Sequence, residues 1–135
     1  METVVIGGQD LGQELSKRFL EQEIAVVFLD DDTATIERAI KGGIDAHKTD
    51  ISDFQALSDA GLDQAHTVIV ATDSDSKNLL IAQLLRVKFK TDRIIVLVNH
   101  PQNLDLFDEL DVEVINSTQA LTTAIENVHS DNQDH

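Results

Sequence analysis

Val4-Val5-Ile6-Gly7-Gly8-Gln9-Asp10-Leu11-Gly12, answered by Asp30 after the apolar run Ala25 to Leu29, decides the fold of this 135-residue chain. The stretch reads as strand, glycine turn, helix, strand, acid. A β-branched run that stops at glycine and opens a helix aims free backbone N–H groups and a positive helix end at one point, where a phosphate can sit. A carboxylate roughly twenty residues further on can accept both hydroxyls of a ribose. Glycines alone also mark ordinary tight turns, and the order of strand, turn, helix, strand and acid is what raises this pattern above them.

One residue departs from the pattern. In a G-x-G-x-x-G spacing counted from Gly7, the second glycine is replaced by Gln9 and the third is Gly12. The second glycine lets a pyrophosphate approach the backbone. A Cβ there crowds the phosphate and, where the turn needs a positive φ, costs about 1 kcal/mol or more. The Gln9 amide can donate to a phosphate oxygen instead, and Gly8 can relax the turn by one position. Gly7, Gly8, Gln9, Asp10, Leu11 and Gly12 are therefore expected to form a ligand site of altered geometry or weakened affinity.

Working outward, the helical spacing of Leu11, Leu15 and Phe19 predicts a helix over Leu11 to Gln22 with Asp10 as its cap. Ala25 to Leu29 is a second strand, apolar throughout as buried parallel strands require. Thr33 to Lys41 is a second helix closed by Gly42 and Gly43. Ile44 to Lys48 is a third strand, Asp53 to Ala60 a short helix ended by Gly61, and Thr67 to Ala71 a fourth strand. Ser76 to Lys90 is the longest helix, and Leu80, Ile81, Leu84, Leu85, Val87 and Phe89 sweep an arc of about 200°, twice the stripe a sheet-covering helix needs. One side of it is expected to meet a second subunit. Arg93 to Val98 is a fifth strand, Pro101 to Leu110 a helix opened by proline, Val112 to Ile115 a sixth strand and Ser117 to Val128 a closing helix. Residues 130–135 read as a disordered acidic tail after a domain of residues 1–129.

Strand and helix alternate with short connections, which argues an α/β doubly wound parallel sheet whose ligands bind at the carboxyl ends of the strands. The length suits one domain able to bury about two thirds of its unfolded surface. Cysteine, tryptophan and tyrosine are absent. A disulfide framework and thiol chemistry are excluded, and a reducing cytoplasm is the natural setting. No apolar run has the length of a membrane span, and no basic, apolar leader precedes the first strand, so neither insertion nor secretion is expected. The formal charge of −15, with ten Lys and Arg against 25 Asp and Glu, argues against a nucleic-acid partner.

Further along, Ala60-Gly61-Leu62-Asp63, Val68-Ile69-Val70-Ala71-Thr72-Asp73-Ser74-Asp75 and Asn78-Leu79-Leu80 closely resemble the TrkA-N family, the N-terminal lobe of RCK domains that regulate potassium conductance. The resemblance runs from the glycine turn through Asn99 to the Asn116-Ser117 corner. It implies a Rossmann-like, six-stranded parallel sheet in the order 3-2-1-4-5-6. It also implies a cytoplasmic regulator that binds NAD(H) or AMP, ADP or ATP and acts on a potassium transporter or channel membrane subunit at the inner face of the membrane, while the homodimer or higher homo-oligomer is expected from the apolar helix over residues 76–90. By that similarity Gly7 and Gly12 match turn glycines and Asp30 the ribose-binding acid. Asp50, Ile51 and Ser52 stand at the family's G-D-x-[ST] element near the adenine, with Thr49 in place of its glycine. Thr72 and Asp73 match the loop after the fourth strand, and Asn78 is expected to tie that loop to the next helix.

Two further departures bear on the ligand. Many relatives carry an arginine where this chain has Leu97, so a phosphate countercharge is missing, and Leu97 with Asn99 cannot supply the acid pair of calcium-gated relatives. The second lobe that usually follows such a domain is absent, which leaves either an isolated module or a piece of a longer regulator.

Each candidate group also has a plainer reading. Asp31 and Asp32 read as a solvated loop, although Asp31 beside Asp30 sets a charge cluster that repels a 2′-phosphate and so favours NAD over NADP. Asp73 and Asp75 could pair for acid–base or metal work, but Asp75 reads better as a helix cap. The five histidines lack the i, i+4 spacing of a helical metal site. The leading reading is a non-catalytic nucleotide sensor. Its rivals are an oxidoreductase on the same cofactor, for which substrate room and an acid–base pair are wanting, and a dimerisation scaffold that has lost its ligand.

Overall fold

A computed structural model describes residues 2–133 of the chain. β1 (Glu2–Ile6), β2 (Val26–Asp30), β3 (Ala46–Lys48), β4 (Ala65–Val70), β5 (Arg93–Val98) and β6 (Glu113–Asn116) form one sheet in the order β3-β2-β1-β4-β5-β6. All adjacent pairs are parallel. The expected Rossmann-like order is the one observed. β1 lies at the centre, with Val5 opposite Phe28 on β2 and Ile69 on β4. The chain leaves β1 towards β2 and β3 and then crosses back to β4 on the other side. The connections after β1 and β4 therefore diverge and open a crevice at the carboxyl ends of these strands.

Strand alternation divides the core into two layers. Val5, Val26, Phe28, Ile36, Ala39 and Ile44 fill the side covered by α1 (Asp10–Glu21) and α2 (Thr33–Lys41). Val4, Ile6, Leu29, Val68, Val70, Val96 and Val98 meet α3 (Phe54–Asp59) and α4 (Asp75–Leu84) through Leu57 and Ile81, and Leu85 just beyond α4 joins them. Gly12 makes the first layer possible. A Cβ on it would strike the Gly7 carbonyl oxygen and stand 2.5 Å from Phe28 Cε1. Only glycine lets α1 lie this close to β1 and β2.

Two helix starts differ from the expected caps. Asp10 is the first helical residue, not the cap: Gln9 holds that position without a side-chain bond, and Asp10 sits 3.5 Å from Arg38 at the surface. α4 is capped by Ser74, whose Oγ accepts from the Lys77 N–H, so Asp75 is free to turn inward. Asp32 and Asp53 cap α2 and α3 through the N–H groups of Thr35 and Ala56.

The long helix expected over Ser76 to Lys90 is interrupted. α4 ends at Leu84, a π-helical turn follows over Leu85–Phe89, and Lys90 closes it at φ 51°. The turn brings the Arg86 guanidinium onto the carbonyls of Leu110, Thr91 and Asp111. Much of the wide apolar arc is used within the chain, because Ile81 and Leu85 are buried and Leu84 and Phe89 pack on the core, leaving Leu80 and Val87 exposed. Pro101–Phe107 is 3₁₀ rather than α-helical. α5 (Ser117–Gln133) runs five residues past its expected end, so the first part of the expected tail is helical. Asp134 and His135 lie outside the described residues. Leu121, Ile125 and Val128 on α5 are exposed, and no helix among the described residues is long and apolar enough to cross a membrane.

Candidate functional site

The crevice between β1 and β4 holds a cavity of about 250 Å³. Nine of the thirteen residues singled out in the sequence line it: Gly7, Gly8, Gln9, Leu11, Asp30, Asp31, Ile51, Thr72 and Asp73. Asp10, Gly12, Asp50 and Ser52 do not. Asp10 faces Arg38 and Gly12 is a packing residue beneath the turn. Asp50 accepts from the Ser52 N–H, shaping the turn before α3, and borders a separate hollow with His47, Lys48 and Thr49. Ala71, Lys77, Leu97 and Asn99 complete the lining. Lys77 is not among the expected residues, although a lysine in the first turn of a helix, where the dipole disfavours cations, is a legible anomaly.

The glycine turn bends through a run of positive φ values. Gly7 and Gly8 have φ of 76° and 91°, and a Cβ on Gly7 would meet Thr72 Cγ2 at 2.5 Å, closing the floor of the cavity. The N–H groups of Gly8 and Asp10 take no part in the backbone bonds of the turn, whereas the Leu11 N–H is returned to Gly8. The Asp10 N–H is an orphan donor of the helix start, and the Gly8 N–H lies one residue before its cap. Gln9 stands at φ 47° and ψ −113°, a conformation glycine adopts freely and other residues do not. Gln9→Gly is expected to stabilise the fold by about 1 kcal/mol. The measurement is a higher urea midpoint at unchanged slope, and a lower midpoint would show that the turn carries no strain.

Asp30 is 2% exposed beneath that turn. Its Oδ2 accepts from the Gln9 N–H at 3.0 Å and its Oδ1 from the Asp32 N–H at 2.9 Å. Burial pushes its carboxyl above the usual aspartate value, and the two backbone donors oppose that rise. A carboxylate has about four acceptor sites. Two are used here and two are left, the number a ribose diol needs. Gln9, by contrast, is exposed at the rim. The residues present thus fit an adenosine: orphan N–H groups, a floor without Cβ atoms and a buried acid with spare lone pairs.

A second set of polar groups fixes the opposite wall. Asn78 is fully buried, and its Nδ2 donates to the carbonyls of Thr72 at 3.0 Å and Leu97 at 2.8 Å. The Thr72 hydroxyl donates to Asn78 Oδ1. The loop after β4 is thereby tied to α4, as expected. Asp75, 6% exposed, accepts four bonds, from Asn99 N and Nδ2, His100 N and Asn103 Nδ2, at 2.7 to 3.0 Å. Burial works against its ionisation, but these donors outweigh burial and hold the carboxyl below its ordinary value. Asn99 reaches back to the Thr72 carbonyl at 3.0 Å. The loops after β4 and β5 are one hydrogen-bonded unit.

Comparison with known proteins adds to this geometry. The family model of the TrkA-N domain matches residues 3–118. The Trk system potassium uptake protein TrkA of Vibrio alginolyticus is 27% identical over 124 residues, which cover 88% of this chain and 26% of that protein. The chain thus spans about a quarter of that relative's length. Among solved structures, the NAD(P)-binding domain of an exopolyphosphatase-related protein from Archaeoglobus fulgidus superimposes with a TM-score of 0.85 at 24% identity, covering 96% of this chain and 98% of that one. The GsuK channel bound to NAD gives a TM-score of 0.77 at 19% identity over 89% of this chain and 22% of that one. Both structural likenesses concern the fold.

Proposed function

The chain belongs to the TrkA-N domain family, and from that premise we propose that it is a non-catalytic nucleotide sensor in the regulation of a potassium transport system. It binds NAD(H) or an adenine nucleotide, AMP, ADP or ATP, in the crevice between β1 and β4. Gly7, Gly8, Gln9 and Leu11 with the start of α1 face the phosphates, Asp30 grips the ribose, and Ile51, Thr72 and Asp73 border the remaining space. Gly12 packs beneath the turn, whereas Asp10, Asp50 and Ser52 lie outside the lining of the crevice. The observation that carries the reading is the buried Asp30 carboxylate, held under a glycine turn with acceptor sites to spare. The relative named as a potassium uptake protein and the channel structure described as NAD-bound support it.

NAD supplies no chemistry in this role. It acts as a ligand whose binding alters the packing of subunits in the cytoplasm, at the inner face of the membrane, against a transporter or channel subunit. Such regulation requires the ligand to prefer one packing, because equal affinity for both shifts nothing. A second copy of the chain packs along residues 76–90, where Leu80 and Val87 remain exposed. Val87→Lys is expected to leave the thermal melt unchanged and to lower the mass found by light scattering. An unchanged mass would move the contact elsewhere.

Calorimetric titration of the purified chain with NAD, NADH, AMP, ADP and ATP tests the central reading. Binding of at least one is expected, with a change in scattering mass or shape on saturation. Silence towards all of them would leave a scaffold that holds no ligand. Steady oxidation of NADH by the pure protein would instead make it an oxidoreductase.

A further inference from the structure

Among the described residues, the charged side chains lining the crevice are Asp30, Asp31, Asp73 and Lys77. Lys77 is the one cation among them. It comes from the first turn of α4, on the β4 side, while Asp31 follows β2 on the far side of β1. Lys77 Nζ lies 3.9 Å from Asp31 Oδ2, both side chains about half exposed, so the pair spans the crevice. Neither the helix nor the pair accounts for this lysine. A cation near a helix N-terminus is disfavoured by the dipole, and an exposed ion pair at the edge of contact distance contributes little. Leu97, facing the same space from β5, offers no charge.

Resting on the nucleotide reading above, we infer that Lys77 is the phosphate-recognising cation of this crevice, exchanging Asp31 for a ligand phosphate, and that the crevice ranks ligands by charge. One lysine and a helix start compensate a short run of phosphate charge. Every further anionic group meets Asp31 and Asp73 without a counterion. A dinucleotide with one charge on each of its two phosphates fits that balance, and a triphosphate does not. The site therefore selects NAD over ATP.

The test is calorimetry with adenosine, NAD and ATP on the wild-type chain, Lys77→Met and Asp31→Asn, at low and moderate salt. Wild type is expected to bind NAD more tightly than ATP. Lys77→Met loses about tenfold on NAD, the scale of one charge-assisted hydrogen bond, with adenosine unchanged. Asp31→Asn binds NAD several-fold more tightly and narrows the gap to ATP. The inference is overturned if Lys77→Met binds NAD as wild type does, if adenosine weakens in parallel, or if wild type prefers ATP. Wild type that binds neither adenosine nor any nucleotide overturns the reading of the site itself, and the role of Lys77 with it.

Discussion

In the Asp30→Ala protein, nucleotide affinity is expected to fall at least about 100-fold. Two hydrogen bonds from ribose hydroxyls to an ionised acceptor contribute about 1.5 kcal/mol each or more, and about 3 kcal/mol is two decades of affinity. The substitution also takes the acceptor from the Gln9 and Asp32 N–H groups. That loss is partly offset, because a buried carboxylate held above its ordinary value is itself costly to keep ionised. The stability change should therefore be small beside the loss of binding. Calorimetry and a urea titration on the same preparation separate the two, and a variant that still binds would remove Asp30 from the ribose site.

The pH dependence follows from the direction of the same shift. Because the folded protein holds the Asp30 proton more tightly than the unfolded chain does, this group favours folding most below 3.8, its ordinary value, and the advantage declines as pH rises through the folded value. Binding needs the carboxylate and runs the other way. Nucleotide affinity should weaken on acidification sooner than an ordinary aspartate would make it.

Asp75→Asn is expected to destabilise the fold by about 2–3 kcal/mol. Asp75 accepts from four donors, and asparagine offers one oxygen and turns an NH₂ group towards the rest. Donors facing donors in a buried site cost about 1–3 kcal/mol. With its folded value depressed, the Asp75 carboxylate contributes stability that is fully present above 3.8 and lost as pH falls through the folded value. The gap between wild type and Asp75→Asn in urea midpoint should thus be widest near neutrality and close in acid. A gap independent of pH would mean that the charge of Asp75 contributes nothing.

Much of this was legible before any coordinates. The apolar runs of the strands, Gly12 and the acid closing β2 each obey a local rule: continuous burial, close approach without a Cβ, an acceptor at a strand end. Lys77 is legible only as an oddity at a helix start; its place in the crevice is not, because its partner Asp31 lies far along the chain and only the crossover from β3 to β4 sets them on opposite sides of one crevice. Asp75, expected as a cap, departs from that role for a related reason. Its sequence neighbours suit a helix start, while its true partners, Asn99, His100 and Asn103, arrive from the loop after β5.

The sequence by itself determined the parallel six-stranded architecture and the place of the glycine turn, since periodicity, turn residues and strand-end polarity act between near neighbours. The tertiary structure alone decided which carboxylates are buried, which are bonded and which face the crevice. Burial and hydrogen bonding depend on groups brought together by the sheet order, and no spacing along the chain encodes them.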